Sequence, residues 1–414
     1  MGFQVSIYLD TRRKKQDNTF PVKIRLWHNE NKKAKLYPTE FNLTLEDFQK
    51  AWETDRPRKE SKELRLMLNQ IIAKAEKVAS ELKPFTFEGF ERKLYRKSGE
   101  GENAFWFYSQ IAEGLKKRDQ IGTADLYRLS KKSLSAYIEE KKGRAPSRLL
   151  FTEINKDFLK DYEIWMLAGG KSRTTVSIYL RCLRAAFNLA IAEGEINKEL
   201  YPFGKRKYQV PATRNLKKAF TKAQLKILFE SSPEIPEQEE ARDFWFFSYS
   251  SNGMNPKDIA LLKYKHLKDS QLVFYRAKTI NTSKHDLKPI QIYLNDFTKS
   301  VIDKYGNTNL GPETYIFRII NDDMTPDEKH RKFKNFTKFI NQHIKRLAKS
   351  LGLPEDISTY YARHSYATNA VRSGASLAFV QESLGHGSMK TTMNYFAGFD
   401  DSAKKEIADK LMEF

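Results

Sequence analysis

The sequence is poor in cysteine and contains no long apolar run. Its single cysteine, Cys182, cannot form an intramolecular disulfide or a cysteine-based zinc site, and we expect it to be a small buried side chain in a reducing compartment. No His, Asp and Glu residues have metal-ligand spacing, so no metal and no cofactor are predicted. The segment MGFQVSIYLD lacks the apolar core of a signal peptide, and no window is long enough to span a bilayer. These absences favour a cytoplasmic protein without a membrane partner.

Acidic residues are scarce relative to basic ones. The 414 residues include 73 Lys and Arg against 52 Asp and Glu, a formal net charge of +21 that is spread along the chain. A basic surface attracts polyanions, of which nucleic acid is the most common, although a merely basic soluble protein is an alternative. With 40% hydrophobic and 13% aromatic residues, the chain can bury cores for two or three domains.

The first part of the chain predicts a small α+β sheet domain over residues 1–95. Period-two alternation of apolar and polar residues predicts three strands, at residues 5–9, 22–26 and 35–41. A helix from about residue 60 to 82 can cover their apolar face. The other face carries Lys23 and Arg25 and is a candidate DNA-contact surface, with an ordinary solvated face as an equal alternative.

Four helical patterns predict a compact all-helical domain over residues 103–195, after a charged linker from about residue 92. The helices are expected at residues 104–117, 123–142, 152–167 and 172–193. Thr123 and Ser172 are candidate N-caps, and Gly143 is suited to a helix end. A second linker is expected at residues 196–218. Basic side chains beside the last helix and in this linker are candidate DNA contacts: Lys171, Arg173, Arg181, Arg184, Lys205 and Arg206.

Residues 219–414 are predicted to form a mostly helical α+β domain that holds the candidate catalytic residues. After a hairpin-like pair of strands, LVFYRAK and PIQIYL, come YYARHSYAT with Arg363, and LGHGSMKTTMNYF with His386 and Tyr395. The motifs resemble those of enzymes that cleave DNA phosphodiesters, and cationic donors aimed at a phosphate stabilise the charge that develops during such cleavage. Arg363 can donate two hydrogen bonds to phosphate, and His386 can donate a third or exchange a proton near neutral pH. Tyr395, on an expected short helix, can attack once a cation or base favours its phenolate.

These motifs closely resemble those of the tyrosine recombinase (phage integrase) family. That family carries an Arg within HxxRH, a His or Trp within LGH, and a nucleophilic Tyr nine residues later. The resemblance covers the chain from about Lys218 onward and implies a nucleophile at Tyr395, catalysis by Arg363 and His386, and a leaving-group acid at Lys278 after the hairpin strand. It also implies that the helical domain is the core-binding domain and that the sheet domain binds arm-type sites.

Two positions depart from the family pattern. Tyr360 replaces the first His of HxxR and can still donate a hydrogen bond. Asn255 stands where the family has its first catalytic Arg and cannot supply a charge. Mobile-element integrases of the Bacteroidetes group, which this chain resembles, also depart at such positions. We expect another cation to fill the gap, with Arg242 the first candidate and Lys257 the second, and we expect Asp258 to orient a cation.

The resemblance implies an integrase that inserts and excises a mobile element through a 3′-phosphotyrosyl intermediate and a Holliday junction, without metal or ATP. Its expected partners are double-stranded DNA with core and arm sites, host DNA-bending or excision factors, and three further copies in a homotetramer joined by a C-terminal tail helix. His364, beside Arg363, is expected to be a structural hydrogen-bonding residue. Two alternatives stay open: a non-catalytic DNA-binding protein, suggested by Asn255, and a monomeric type IB topoisomerase-like strand transferase.

Overall fold

Two compact units, Met1–Thr213 and Arg214–Phe414, divide the chain, and each has its own hydrophobic core. This computed structural model describes all residues except 1, 30–31, 83–84, 96–98, 213–218, 279, 281–287, 309–310, 397, 399–404, 406–407, 410 and 412–414. Helices predominate in both units and the sheets are small. The predicted fold class, mainly helical with small sheets, is confirmed.

An antiparallel sheet in the order β1-β2-β3 opens the first unit. Its strands are β1 (Phe3–Leu9), β2 (Phe20–His28) and β3 (Lys33–Leu43). A short helix, α1 (Leu45–Phe48), continues into a π-helical segment (Gln49–Glu53) and is followed by α2 (Lys59–Glu81), which covers the apolar face. There Ile24 of β2 packs in one cluster with Ala75 and Ala79 of the helix. The predicted strands and covering helix are thus present, each strand a few residues longer than the alternation alone indicates.

A further helix, α3 (Phe87–Leu94), occupies the region where the sequence predicts the start of a linker. Thr86 caps this helix by accepting a hydrogen bond from the Gly89 N–H, and the buried Phe90 extends the core of the sheet domain. The prediction of a linker from residue 92 is therefore wrong at its beginning. A helix of two turns has too few apolar residues for its period to stand out.

Four longer helices form the second part of this unit. They are α4 (Ala104–Lys116), α5 (Ile121–Lys142), α6 (Lys156–Ala168) and α7 (Arg173–Ala192). Ser172 caps α7 by accepting from the Thr175 N–H, as predicted. Thr123 is not an N-cap, because α5 begins two residues earlier. Likewise α6 begins after Asn155, whose side chain caps it, and not at Thr152.

The core of these helices is apolar and closely packed. Leu183 and Phe187 of α7 are fully buried, and burial of one such side chain stabilises the fold by about 1.5–3 kcal/mol. Cys182 is buried beside them, as predicted, and burial raises the pKa of its thiol to about 11. By length and composition α7 is apolar enough to cross a membrane, but its apolar side forms the centre of this core.

The residues that follow α7 continue the same core. Phe203 and Tyr208 form a bridge across a loop, and both side chains are buried against the four helices. The Tyr208 hydroxyl donates to the Glu163 carboxylate at 2.6 Å. The first part of the expected linker is thus packed on the helical domain, whereas residues 213–218 lie outside the described residues.

Helices surround a small antiparallel sheet in the second unit. The helices are α8 (Lys222–Phe229), α9 (Pro236–Ser250), α10 (Pro256–Ala260), α11 (Asp296–Tyr305), α12 (Pro326–Ser350), α13 (Thr359–Arg372), α14 (Leu377–Ser383) and α15 (Met389–Met393). The strands, in the order β4-β5-β6, are β4 (Leu267–Lys268), β5 (Gln271–Phe274) and β6 (Ile290–Tyr293). The predicted hairpin is present as β5 and β6.

Helix α9 lies at the centre of this unit, where it packs against α12 and α13. Its Trp245 and Phe247 are fully buried in the core. The expected C-terminal tail helix falls largely on residues outside the described ones; Leu411, which is described, is 72% exposed. The central packing of α9 and α13 fixes the helix that carries Arg363.

Candidate active site and DNA-contact residues

Helix α13 positions Arg363 inside the second unit. Trp245 of α9 holds the start of this helix by donating its indole N–H to the carbonyl oxygen of Ser358 at 3.0 Å. Arg363 is only 4% exposed, and its Nη1 and Nη2 donate to the carbonyl oxygens of Gly253 and Leu384, each at 2.7 Å. These bonds fix the plane of the guanidinium. Its buried Nε has no hydrogen-bond partner among the described residues.

Burial disfavours the charged form of Arg363 but does not neutralise it. Desolvation, followed by the charge of Arg276, lowers the pKa of Arg363 to about 10, so the guanidinium stays protonated at neutral pH. Gly253 permits the close approach of the two segments. Its φ is +64°, and a Cβ at this position would lie 2.8 Å from the Cα of Arg363. A glycine is therefore required here on both conformational and steric grounds.

His386 follows α14 and is hydrogen-bonded through both ring nitrogens. Gly385, with a φ of +62°, turns the chain so that the imidazole faces Arg363. The His386 Nε2 lies 3.1 Å from Nη2 of Arg363, and its Nδ1 lies 3.1 Å from Oγ1 of Thr392. A guanidinium can only donate, so Nε2 accepts and the neutral ring carries its proton on Nδ1. Thr392 thus fixes the ring orientation.

The electrostatic environment disfavours the charged form of His386. Burial, followed by the charges of Arg363, Arg276 and Lys278, lowers the pKa of His386 to about 3. The role of His386 in proton exchange stays a prediction. A bound phosphate would act in the opposite direction, because an adjacent anion favours the imidazolium.

Tyr395 lies against both His386 and Arg363. Its ring centroid is 5.0 Å from that of His386 and 4.8 Å from that of His364, and Cζ of Arg363 lies 5.3 Å from the Tyr395 centroid. Tyr395 stands two residues beyond the end of α15 and not within it, and Ser388 caps that helix. The structure brings together the three residues that the motifs single out.

Arg276 is a further cation of this site, and the sequence reasoning missed it. Its side chain is 7% exposed, and its Nη1 donates to the carbonyl oxygens of Leu384 and Gly385, both at 3.4 Å. Arg276 and Arg363 line the same small cavity. A signal was present, because the alternation that buries Leu272 and Phe274 in β5 continues to position 276.

Asp258 links Asn255, which stands where the family has its first catalytic arginine, to the segment that carries Arg276. Its carboxylate is buried, accepts from the Ala277 N–H at 2.9 Å and lies 3.4 Å from the Asn255 amide nitrogen. Burial raises the pKa of Asp258, while the Ala277 N–H and the charges of Arg276 and Arg363 act to lower it. Asp258 therefore anchors the backbone next to Arg276. Within the described residues, no group of three or more His, Cys, Asp or Glu side chains could hold a metal ion.

The two cations that the sequence proposes for the gap lie elsewhere. Arg242 donates to the Asp243 carboxylate, 3.1 Å from Nη2, and to the carbonyl oxygen of Ser231. Asp243 also binds Lys304, so Arg242 belongs to an ion-pair network on α9 and α11. Lys257 lies over the ring of Phe333, 5.5 Å from its centroid. Proximity along the sequence to Asn255 was a poor guide, since Arg242 on α9 and Lys257 on α10 contact other groups.

Lys278 and Tyr360 lie at the edge of the site. Lys278 is exposed in the turn after β5, four residues past the end of the strand, and its charge contributes to the lowered pKa of His386. Tyr360 is 54% exposed, and its ring is stacked on Tyr395 at a centroid distance of 6.3 Å. Partial burial, and then the Tyr395 phenol, raise the pKa of Tyr360. Both side chains can reach a ligand from the solvent side.

Candidate DNA contacts on the first unit form an exposed basic face. Arg173, Arg181 and Arg184 are exposed on α7, at spacings that place them on one side of the helix, beside its buried stripe. The remaining exposed members of this set are Lys171, Lys205 and Arg206. Lys171 precedes α7, and the other two lie in the loop that the Phe203–Tyr208 bridge closes.

On the N-terminal sheet, Arg25 and Lys23 differ in availability. Arg25 is exposed, whereas Lys23 forms an ion pair with the fully buried Asp10 at 2.7 Å. Hydrogen bonds from Arg12 and then Lys23 hold the pKa of Asp10 well below its usual range. The ammonium of Lys23 is therefore already paired, and Arg25 is the better candidate for a phosphate contact.

Comparisons with known proteins find related sequences over most of the chain. Residues 103–210 match the phage integrase SAM-like domain, and residues 218–401 match the phage integrase family. The tyrosine recombinase XerA of Thermococcus kodakarensis is 25% identical over 228 residues, which is 55% of this chain and 72% of the relative. The tyrosine recombinase XerD of Listeria innocua is 25% identical over 242 residues, with the same shares of the two chains.

A solved structure shares the fold. A structure of the XerH site-specific recombinase bound to palindromic difH substrate, in a post-cleavage complex, covers 82% of this chain and 95% of its own, with a TM-score of 0.50 and 16% sequence identity. The family matches together extend over the helical domain and the unit that holds Arg363, His386 and Tyr395. The chain belongs to the phage integrase family of tyrosine recombinases.

Proposed function

We propose that this protein is a site-specific DNA recombinase that inserts and excises a mobile element by cleaving and rejoining DNA strands through Tyr395. One observation carries the proposal: the Tyr395 ring packs on His386 and lies 5.3 Å from the guanidinium carbon of the buried Arg363. A phenol nucleophile and cationic hydrogen-bond donors are the groups that phosphodiester cleavage needs.

The reaction is a transesterification. The Tyr395 oxygen attacks the scissile phosphorus, a new P–O bond forms, and the P–O5′ bond breaks. The products are a 3′-phosphotyrosine and a free 5′-hydroxyl, and the phenol proton passes to solvent or to a neighbouring base. Since the phosphodiester bond is exchanged and not hydrolysed, a 5′-hydroxyl from a second DNA end can reverse the step without ATP. Repeating the exchange on both strands passes through a Holliday junction.

Two buried arginines would stabilise the transition state. Arg363 presents a guanidinium whose Nη atoms are fixed by carbonyl oxygens, and Arg276 lines the same cavity. Both would face the non-bridging oxygens, so that Arg276 supplies the charge that Asn255 cannot. Their mutual repulsion, which contributes to the lowered pKa of Arg363, is relieved when an anionic phosphate binds between them. The site is thus prepared for a negative ligand before DNA arrives.

Lys278 is suited to protonating the leaving oxygen. It is exposed in the turn after β5, and the Asp258 carboxylate anchors the backbone of the preceding residue, Ala277. Departure of a 5′-alkoxide is unfavourable without a proton, so an ammonium at this place would accelerate the cleavage step. A bound phosphate would favour protonation of the His386 imidazole, or a change in the partners to which its ring nitrogens are hydrogen-bonded.

DNA would contact both units. The exposed arginines of α7 and the loop with Lys205 and Arg206 are suited to the core site, and the sheet face with Arg25 to an arm-type site. The XerH structure was solved bound to its difH substrate, which supports a double-stranded DNA partner. The proposal also includes a homotetramer joined by the C-terminal tail, together with host DNA-bending or excision factors. The location would be cytoplasmic and nucleoid-associated, and the gene would belong to a Bacteroidetes-type mobile element.

Covalent trapping tests the proposal. A duplex carrying the end sequence of the element that encodes the protein, nicked close to the cleavage point, loses its short 5′-hydroxyl strand after attack, so that the adduct accumulates. The wild type should yield a slow-migrating protein–DNA adduct without metal or ATP, and Tyr395→Phe should bind the same duplex without forming it. Tight binding by both proteins with no adduct would favour a non-catalytic DNA-binding protein.

A second measurement separates recombination from DNA relaxation. A type IB topoisomerase-like enzyme would relax supercoiled DNA as a monomer and would not join two duplexes. Incubation with two matched sites should instead give Holliday junctions, visible as branched species whose strands come from both duplexes. Relaxation of plasmids that lack the site, with no branched product from paired sites, would favour the topoisomerase alternative.

A further inference from the structure

One face of α13 holds the segment that contains Tyr395. Four residues at four-residue spacing share this face: Tyr360, His364, Thr368 and Arg372. The first three contact Tyr395, and Arg372 donates from Nε and Nη2 to the carbonyl oxygen of Gly398 at 3.1 and 2.9 Å. This face of α13 therefore contacts the chain at Tyr395 and again at Gly398, three residues later.

His364 makes the most extensive of these contacts. Its ring centroid lies 4.8 Å from that of Tyr395, with the two rings tilted by 31°, and its Nδ1 lies 3.2 Å from the Tyr395 carbonyl oxygen. A carbonyl oxygen only accepts, so Nδ1 is the donor. Thr368 Oγ1 also donates to this oxygen, at 3.4 Å. One histidine therefore constrains both the side chain and the backbone of the same tyrosine.

We propose that His364 is the positioning residue for the nucleophile, holding Tyr395 over Arg363 and His386 in its own subunit before DNA binds. Tyr395 stands beyond the last residue of α15, where one turn hydrogen bond, from its N–H to the carbonyl oxygen of Thr392 at 2.8 Å, holds its backbone. The contacts of His364 add a support for its ring and for its carbonyl oxygen. Arg372 assists by holding the carbonyl of Gly398, whose φ of +98° marks a turn. This role goes beyond the structural hydrogen bond expected from the sequence, and it rests on the proposed function.

The two neighbouring histidines have separable tasks. His386 is directed at Arg363 and Thr392, on the side where phosphate would bind, and His364 is directed at the main chain of Tyr395. Loss of His364 should therefore misplace the attacking oxygen without removing a charge from the phosphate site. Misplacement of a reacting atom by 1 Å costs about 10²-fold in rate.

Variants can divide the two contacts of His364. His364→Phe keeps a ring against Tyr395 and removes the hydrogen bond. His364→Asn places an amide N–H close to the position of Nδ1 and removes the ring, whereas His364→Gln places its amide one carbon farther away. If the hydrogen bond positions the nucleophile, His364→Asn should cleave faster than His364→Gln. Melting temperature and DNA affinity, measured on the full chain for each variant, report whether a loss of rate reflects loss of folding.

The experiment is single-turnover cleavage of the nicked duplex in two forms, with oxygen or with sulfur at the bridging 5′ position. A thiolate leaves without being protonated, so sulfur should rescue Lys278→Ala, which lacks the leaving-group acid. It should not rescue His364→Phe, which we expect to be slowed about 10–100-fold on both duplexes with unchanged DNA affinity.

Three outcomes would overturn the inference: wild-type cleavage by His364→Phe, rescue of that variant by sulfur, or equal rates for the Asn and Gln variants. If His364→Phe fails to fold, the comparison of the Asn and Gln variants decides alone. Failure of the proposed function is distinguishable, since the wild type itself would then form no adduct on either duplex.

Discussion

Replacing Arg276 with glutamine removes one of the two buried guanidinium groups while keeping the aliphatic stem and an uncharged polar end. Arg276 is 7% exposed and shares a small cavity with Arg363 and Asp258, so its charge acts where water is largely excluded. Loss of one preorganised donor to a developing oxyanion typically costs about 2.7–4 kcal/mol. We therefore expect Arg276→Gln to slow single-turnover cleavage by about 10²–10³-fold.

The assay follows adduct formation at saturating protein, so that DNA binding and chemistry are measured separately. DNA affinity should change little, because one charge among many basic surface residues is removed. A second readout is the His386 ring. The charge of Arg276 contributes to the lowered pKa of His386, so the variant should show a higher pKa for this histidine by NMR. A shift in this direction would show that the lost charge lies close to His386, in the candidate active site.

Arg242→Gln is the matched control, because it removes an arginine of the same unit that is paired with Asp243. We expect it to cleave at nearly the wild-type rate per folded molecule. Adding Asn255→Arg to Arg276→Gln should restore part of the rate, since residue 255 adjoins Asp258 and Asp258 anchors the Arg276 segment. Normal cleavage by Arg276→Gln together with a slow Arg242→Gln would refute the reasoning and return the role to Arg242.

Two further predictions concern stability. Gly253→Ala should lower the free energy of unfolding by about 1–3 kcal/mol, because φ is +64° and the new Cβ would lie 2.8 Å from the Arg363 Cα; an unchanged denaturant midpoint would contradict this. The pKa of Asp10 is lowered from its ordinary value of 3.8. Its ion pairs therefore stabilise the first unit fully at pH values above 3.8, and this stabilisation is lost as the pH falls below that value. Asp10→Asn should weaken that acid dependence in urea titrations, and an unaltered pH profile would count against it.

The parts of the fold that sequence reasoning predicted well are those with a regular period. The strands around Val5, Val22 and Tyr37 and the buried stripe of α7 each repeat often enough for one apolar face to be visible. The short helix α3 was missed because two turns offer too few repeats. Helix starts were less predictable: Thr123 looks like an N-cap, but α5 begins at Ile121 without a side-chain cap.

At the active site, motif spacing predicted the residues that share a motif and missed those that reach it from elsewhere. Arg363, His386 and Tyr395 meet as expected. Arg276 comes from the turn after β5, and only tertiary packing brings it beside Leu384. The replacement for Asn255 was sought nearby in sequence, at Arg242, although charge compensation depends on distance in space. The pKa of His386 also depends on three neighbouring cations that a linear motif does not reveal.

Identification of the residue that carries the DNA tests the central claim most directly. The adduct formed on the nicked duplex would be digested with protease and nuclease, and the peptide bearing a nucleotide would be sequenced by mass spectrometry. The account predicts a phosphodiester-linked nucleotide on Tyr395. A nucleotide on Tyr360, whose ring is stacked on Tyr395 at 6.3 Å, or on any other residue would contradict it, as would the absence of an adduct from a duplex that the protein binds tightly.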